Sequence, residues 1–315
     1  MKLEGLLRML GDTIQAPDEE TYDLFSKNVP SHLALGYIDP KSTILELTIG
    51  DRDLTIHQSP GILESNRAGG TTGAVVWKIT PLFAEWITTT ANPLFAHGLL
   101  SPSSLVIELG CGISSLVGLL LAPLISHYVV TDMGYVAKLV EQNIAENTKP
   151  PTPKKPSKGS RSKPSKSFPS PSTSQGRIHF APLDWETDEV TPSLTGSPSA
   201  KSFDAVVACD CIYNEALIEP FVATCVDICR LRTSEAAAHA GEADLGPEPC
   251  VCVVGQQLRD PAIFEAWLAC FSESFETWRV PDGMLLEGLR ANSGFVVHIG
   301  VLKGSRLKRC DSKEN

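Results

Sequence analysis

Residues 104–132 decide the fold, and they read SLVIELGCGISSLVGLLLAPLISHYVVTD. A short apolar strand (104–110) is followed by a buried helix (113–125) and by a second strand (127–132). Short apolar strands that alternate with helices are typical of βαβ units, in which helices cover both faces of a parallel sheet. The stretch therefore predicts an α/β fold.

The same alternation continues toward the end of the chain. We predict helices over 135–148, 217–232 and 261–275, and strands over 177–185, 203–210 and 250–258. Two last apolar segments, ETWRVPD and GFVVHIGVL (294–302), read as a hairpin-like pair, which indicates one antiparallel edge of the sheet. The prediction is a Rossmann-like sheet of seven strands, mostly parallel, with helices on both faces.

The region before this alternation is predicted to be an N-terminal extension, residues 1–68. Its first 40 residues read as a loosely helical, partly exposed lead-in. Residues 42–58 alternate apolar and polar side chains on both sides of Gly50–Asp53, which is typical of a β-hairpin. We expect the hairpin to pack on a core domain of residues 69–302, and residues 303–315 to form a flexible tail.

Two segments interrupt the core domain, and the positive charge of one of them offsets part of the negative charge of the rest. Residues 149–176 are rich in Pro, Ser and Lys and contain seven basic residues and no acidic one, which predicts a disordered basic insert. Residues 233–249 read as an acidic surface loop. The formal charge of the whole chain is -10, with 27 basic and 37 acidic residues, so it is -17 outside the insert. An acidic body argues against nucleic-acid phosphate as its partner and is compatible with a basic protein partner.

The composition indicates a soluble globular protein. Of the 315 residues, 42% are hydrophobic, and no apolar run reaches the roughly 18 residues that a membrane helix needs. The nine cysteines are odd in number and lack zinc-type spacing with nearby histidines, so we expect buried thiols in a reducing compartment and no metal site.

The first candidate site follows the first strand. Glu108-Leu-Gly110-Cys111-Gly112 is a glycine turn between a strand and a helix, where the backbone can approach a ligand. Asp132 ends the second strand, where an acid can accept hydrogen bonds from the ribose hydroxyls of an adenosine cofactor. An ordinary tight turn and a helix cap are the alternatives that the residues leave open.

Further candidates follow the third and fourth strands. Trp185 ends the third strand, where an aromatic ring can stack on or edge an adenine, although core packing is the alternative. Asp210 and Tyr213 form an Asp-x-x-Tyr turn after the fourth strand, and Tyr213 could instead cover the sheet edge. Upstream, Trp77 precedes a helix that begins near Pro81 and could form a lid over the pocket.

These motifs together resemble those of the seven-strand, S-adenosylmethionine-dependent protein-lysine methyltransferases of the methyltransferase-like 21 group, and in particular its fungal ribosomal members. The resemblance runs from about residue 70 to residue 302. That family usually has Gly-Ala-Gly or Gly-Ser-Gly at the turn, where this chain has Cys111 in the middle. The cofactor-binding residues that the resemblance implies are Trp77, Glu108, Gly110, Cys111, Gly112, Asp132, Trp185 and Cys209.

The resemblance also implies the reaction and the partner. Asp210 and Tyr213 would border a lysine channel, and the methyl acceptor would be the lysine ε-amine of a basic protein, a large-subunit ribosomal protein. We expect a monomer in the cytoplasm, with the nucleus as a second location. Contact between the basic insert and ribosomal RNA is an alternative to a solvated linker.

Three other functions stay open on the residues alone. The same fold can methylate a histidine, a carboxylate or a small molecule, and it can serve as a non-catalytic module that keeps the cofactor. A nicotinamide dehydrogenase is disfavoured, because Ser115 stands where the dinucleotide fingerprint has its third glycine.

Overall fold

The described part of the chain contains a hairpin and a larger sheet. In this computed structural model the described residues are 2–27, 36–65, 71–89, 91–148, 177–238 and 248–305. The hairpin strands are β1 (Ile44–Ile49) and β2 (Arg52–His57). The strands of the larger sheet are β3 (Leu105–Leu109), β4 (His127–Asp132), β5 (Ile178–Pro182), β6 (Ala205–Cys209), β7 (Val251–Gln257), β8 (Phe275–Arg279) and β9 (Phe295–Leu302).

The large sheet has the strand order β5-β4-β3-β6-β7-β9-β8. Every neighbouring pair is parallel except those formed by β9, which is antiparallel to both β7 and β8. The predicted seven strands with one antiparallel strand are therefore confirmed. The predicted antiparallel edge is confirmed as well, since the pair of β8 and β9 ends the sheet, with β8 as the edge strand. Strand β9 lies one position further in and is buried over nearly its whole length.

Helices cover both faces of this sheet. Their bounds are α1 (Lys2–Leu10), α2 (Pro17–Lys27), α3 (Pro60–Leu63), α4 (Ile79–Thr88), α5 (Pro93–Ala96), α6 (Leu116–Leu121), α7 (Ala137–Asn147), α8 (Ile218–Ala238) and α9 (Pro261–Ser274). One apolar core contains the buried side of α1, α4 and α6, and a second contains that of α8 and α9. Within the described ranges, no helix is long and apolar enough to cross a bilayer.

The N-terminal helices are packed more firmly than the sequence indicated. Leu3, Leu6 and Leu10 of α1 are 1%, 0% and 5% exposed, because their spacing places them on one helix face. In α2, Leu24 is buried and Phe25 meets Phe264 of α9 edge-on, with ring centroids 5.7 Å apart. The lead-in is helical as predicted, but it contributes to both cores.

The hairpin rests on α7 through two asparagine side chains. The Thr55 amide donates to Asn147 Oδ1 (2.9 Å), and the His57 amide donates to Asn143 Oδ1 (2.8 Å). The turn is shorter than the predicted Gly50–Asp53 loop, because Arg52 already pairs with Ile49. The free edge of β2 therefore has its backbone donors satisfied by a helix.

Two predicted helix boundaries shift. The helix predicted from residue 113 begins at Leu116, since Ser115 has a left-handed backbone conformation (φ 49°). Helix α8 continues to Ala238, six residues into the segment predicted as an acidic loop, and the rest of that segment to residue 247 lies outside the described residues. The predicted insert at 149–176 and the tail from residue 306 also lie outside them.

Candidate active site

A cleft opens at the carboxyl ends of the central strands, where open α/β sheets bind ligands. All ten residues that the sequence singled out line this cleft. They are Trp77, Glu108, Gly110, Cys111, Gly112, Asp132, Trp185, Cys209, Asp210 and Tyr213. The structure thus brings together side chains that are up to 136 positions apart in the chain.

Backbone hydrogen bonds join the glycine turn to two other segments of the chain. The Cys111 amide donates to Thr131 O (3.0 Å), and the Ile113 amide donates to Gly73 O (2.8 Å). Gly110 has φ +67°, and a Cβ there would lie 2.7 Å from Cys211 Sγ. Because neither the conformation nor the space suits a side chain, the turn presents bare backbone to the cleft.

Asp132 holds the same turn from the end of β4. Its Oδ2 accepts from the Gly112 amide (2.9 Å) and its Oδ1 from the Met133 amide (2.7 Å). Burial raises the pKa of Asp132 to about 6, although both amides favour the charged form. At neutral pH the carboxylate is ionised, and each of its oxygens keeps a lone pair for a ligand.

Glu108 is a second carboxyl group in the cleft, with the opposite protonation. It is 2% exposed, and Tyr128 donates its hydroxyl hydrogen to Glu108 Oε2 at 3.0 Å. Burial raises its pKa to about 8, and the charge of Asp132 acts in the same direction. Glu108 is therefore mostly protonated at pH 7, beside an ionised Asp132.

Trp185 lies against the bare face of the glycine turn. A Cβ on Gly110 would come within 3.4 Å of the Trp185 ring, and the ring meets Phe221 edge-on at 5.2 Å. The indole N–H of Trp185 is buried and has no hydrogen-bond partner among the described residues. A buried unpaired donor that lines a cleft is available to a ligand.

Trp77 is fixed from three directions. Its indole N–H donates to Thr72 O (3.1 Å), and Tyr37 packs on its ring with centroids 4.5 Å apart. The Arg259 guanidinium carbon lies 4.6 Å from the centre of the same ring. Helix α4, which the sequence proposed as a lid, packs Phe83 and Trp86 into the core, while Thr80 in its first turn lines the cleft.

Asp210 is ion-paired, which the sequence did not predict. Arg259 donates through Nη1 to Asp210 Oδ1 (2.8 Å) and through Nη2 to Oδ2, and the Gln257 amide also donates to Oδ1 (3.2 Å). The Asp210 side chain is 2% exposed, and its φ of 61° is a conformation that L residues rarely adopt. Arg259 follows β7 by two residues, so the rule that strand ends carry sites could have indicated it.

Tyr213 stands at the mouth of the cleft. Its side chain is 38% exposed, and partial burial raises the pKa of its phenol, while a hydrogen bond with Thr72 acts in the opposite direction. The phenol is neutral at physiological pH and can donate or accept a hydrogen bond.

Several lining residues were missed from the sequence. They are Thr72, Gly73, Thr80, Met133, Tyr135, Leu183 and Cys211. Cys211 lies between two predicted residues, so its strand-end position was a usable signal. Tyr37 had none, because only tertiary packing brings it to Trp77. In the described segments, no group of three or more His, Cys, Asp or Glu side chains is arranged to hold a metal ion.

These residues fit an adenosine-type methyl donor. The glycine turn leaves room where a Cβ would clash, Asp132 has lone pairs for ribose hydroxyls, and the Trp185 indole N–H lacks a partner. None of these features needs a metal ion or a covalent attachment.

A comparison with known families identifies the class of protein. The model of a family described as lysine methyltransferase matches residues 57–157 and 169–240, which is more than half of the chain. The chain therefore belongs to the lysine methyltransferase family. It is an S-adenosylmethionine-dependent protein-lysine methyltransferase, which confirms the resemblance that the motifs indicated.

Individual proteins match over much of the chain. Ribosomal lysine N-methyltransferase 5 of Zygosaccharomyces rouxii is 30% identical over 233 residues, 69% of each chain, and that of Vanderwaltozyma polyspora is 25% identical over 325 residues, 90% of this chain and 97% of the other. A diaminohydroxyphosphoribosylamino-pyrimidine deaminase of Schizosaccharomyces pombe is 29% identical over 200 residues, but the match spans only 41% of that protein and 64% of this chain. Among solved structures, the N-methyltransferase NodS of Bradyrhizobium japonicum has 14% identity and a TM-score of 0.38, over 69% of this chain and 84% of its own.

Proposed function

We propose that the protein methylates a lysine ε-amine in a large-subunit ribosomal protein, in the cytoplasm. The observation that carries the proposal is that the glycine turn, Asp132, Asp210 and Tyr213 line one cleft. The ribosomal relatives support the substrate, as does the formal charge of -17 outside the basic segment, because ribosomal proteins are basic.

The donor side of the cleft consists of Glu108, Gly110–Gly112, Asp132 and Trp185. When bound there, S-adenosylmethionine supplies an electrophilic methyl carbon on a positively charged sulfur. Asp132 would accept hydrogen bonds from the ribose hydroxyls of that cofactor, and the Trp185 ring would border its adenine. The bare backbone of the turn would allow close approach, and Glu108 lines the same cleft.

The acceptor side consists of Asp210, Tyr213 and Trp77, and Arg259 and Tyr37 pack against these residues. Lysine has an ordinary pKa of about 10.4, so it arrives protonated and must lose a proton before its nitrogen can react. Desolvation between aromatic rings lowers that pKa, and a fixed geometry aligns the nitrogen with the methyl carbon. Asp210 and the Tyr213 hydroxyl accept hydrogen bonds from the nitrogen and hold it in place.

Acidic side chains at the rim support a basic substrate. Asp184 and Glu186 line the cleft directly after β5, and Glu186 is exposed. Asp188 and Glu189 follow in the same exposed segment. Carboxylates of this kind speed the encounter with a positively charged partner more than they strengthen the final complex.

The test uses ribosomes from cells that lack this protein. Purified large and small subunits are incubated with enzyme and isotope-labelled S-adenosylmethionine, and the labelled residues are identified by mass spectrometry. We expect label on a lysine of a large-subunit protein, and little label with the Asp210→Asn or Tyr213→Phe variants. Label on histidine, on small-subunit proteins alone or on no protein would contradict the proposal.

A further inference from the structure

Arg259 holds the carboxylate of Asp210 from the end of the neighbouring strand. Residues 210 and 259 follow the adjacent strands β6 and β7, and the Arg259 guanidinium grips both carboxylate oxygens. Such a fork is the strongest geometry for an arginine–carboxylate pair. Within the described chain, Asp210 is one of two non-glycine residues with positive φ, so the carboxylate is held in a strained backbone position.

The guanidinium is itself fixed by neighbours on other segments. Its Nη2 donates to Gln257 Oε1 (2.9 Å), and its plane lies over the Trp77 ring at 4.6 Å. Trp77 is held in turn by Tyr37. Since the Arg259 side chain is only 24% exposed, its position is set by packing and not by solvent.

The pair has no net charge, and this matters for an incoming amine. Asp210 Oδ1 accepts two hydrogen bonds and Oδ2 accepts one, so a lone pair on Oδ2 remains for a further donor. A free carboxylate beside an amine favours the ammonium form, which has no lone pair and cannot accept a methyl group. A carboxylate that is already paired with an arginine can accept a hydrogen bond from the amine without favouring its ammonium form.

We propose that Arg259 is a positioning residue that cancels the charge of Asp210, so that the substrate amine gives up its proton to solvent and meets the donor as a neutral nucleophile. The inference rests on the proposed function, since it takes a lysine amine as the group that Asp210 receives. It assigns Arg259 a role that neither the sequence motifs nor the family match indicates.

Other titratable groups face the same region. Burial raises the pKa of Tyr37 and of Tyr213, so both phenols are neutral near pH 7. Burial also raises the pKa of Cys209 and of Cys211 well above the ordinary value. Across the cleft, the pKa of Asp132 is about 6 and that of Glu108 about 8. None of these groups is changed in the variants below, so comparison with the unaltered protein isolates Arg259 and Asp210.

The experiment measures the single-turnover rate against pH, with isolated large ribosomal subunits as the methyl acceptor and saturating S-adenosylmethionine. Arg259→Gln leaves Asp210 uncompensated, so the acid limb of the profile moves up by about 1–3 pH units, and the rate at pH 7 falls roughly tenfold for each unit. Asp210→Asn leaves the arginine uncompensated, so its acid limb moves to lower pH, while its plateau rate falls because the amine loses the carboxylate that holds it. Arg259→Lys and the double variant Asp210→Asn/Arg259→Gln preserve the balance of charge and keep the limb near its original position.

A merely structural role for Arg259 predicts a different result. It would lower the rate of every variant by a constant factor at all pH values, and acid limbs that stay in place would overturn the proposal. Calorimetric binding of S-adenosylmethionine shows which variants are folded. If Arg259→Gln does not fold, the opposite movement expected for Asp210→Asn and its reversal in the double variant still decide the matter. Absence of lysine methylation by the unaltered protein would overturn the proposed function and this inference with it, whereas acid limbs that stay in place in an active protein overturn the inference alone.

Discussion

The donor side and the acceptor side of the cleft are assembled from very different parts of the chain. Most of the donor side comes from residues 108–132, and backbone amides of the glycine turn donate to the Asp132 carboxylate and the Thr131 carbonyl. The acceptor side joins residues 37, 77, 210 and 259 through side-chain contacts. A site built from one βαβ unit can be read from a motif, whereas a site joined by side chains becomes visible only after packing. Four variants test this difference.

The largest effect is expected on the donor side, for Gly110→Ala. The added Cβ would lie 2.7 Å from Cys211 Sγ at a φ of +67°, so both space and conformation oppose it. Strain of about 1–3 kcal/mol would weaken cofactor binding by roughly ten- to a hundredfold, as measured by calorimetry. Gly283→Ala is the matched control, because nothing lies within 4 Å of a Cβ there. Equal affinities for the two variants would show that the turn does not approach the cofactor.

The second-largest effect is expected for Glu108, whose raised pKa makes the free energy of unfolding depend on pH. Its pKa rises from an ordinary 4.5 to about 8 on folding, so the folded protein binds the extra proton between these values. The stability that this provides is complete below pH 4.5 and is lost as the pH rises to about 8, by at most about 1.4 kcal/mol per pH unit.

Glu108→Gln should remove that slope. Urea unfolding at several pH values would show it, with Glu189→Gln, an exposed carboxylate, as the control. If Glu108→Gln and the unaltered protein lose stability in parallel, Glu108 is ionised in the fold and the electrostatic description of the donor side is wrong.

A smaller effect should separate the two sides, for Tyr37→Ala. Loss of the ring that packs on Trp77 at 4.5 Å removes about 1 kcal/mol of aromatic contact from the support of Arg259. The single-turnover rate should fall roughly fivefold while the dissociation constant of S-adenosylmethionine changes little. Tyr22→Ala, which removes a 76% exposed ring, is the control. A large loss of cofactor affinity would mean that the two sides are not separable.

The smallest effect is expected at the rim, for Glu186→Gln. An exposed charge is worth at most about 1 kcal/mol, so KM for ribosomal subunits should rise by about twofold at low salt and not at high salt. Steady-state assays at two ionic strengths measure this. A KM that does not respond to salt in the unaltered protein would remove the argument that acidity guides the substrate.

Sequence alone predicts those parts of this molecule whose structure depends on residues that are close together in the chain. The strands around Gly110 and Asp132 are short and apolar, and their ends must meet at one edge of a parallel sheet. The order of β8 and β9 at the antiparallel edge could not be predicted, since a uniformly apolar strand fits an inner position or an edge until its neighbours are known. The Asp210–Arg259 pair could not be predicted either, because the two residues meet only once β6 and β7 are paired.

The hairpin has a consequence for how the protein tolerates change in length. Arg52 Nη2 donates to the Asn147 carbonyl (3.2 Å) and Asn147 Nδ2 donates to the Thr55 carbonyl (2.9 Å), so β2 grips the last turn of α7 just before residue 149. The hairpin therefore fixes the C-terminal end of α7 in place. A change of chain length beyond Thr148 would first act on these contacts between β2 and α7. It would reach Asp132, which precedes the other end of the helix, only after they had broken.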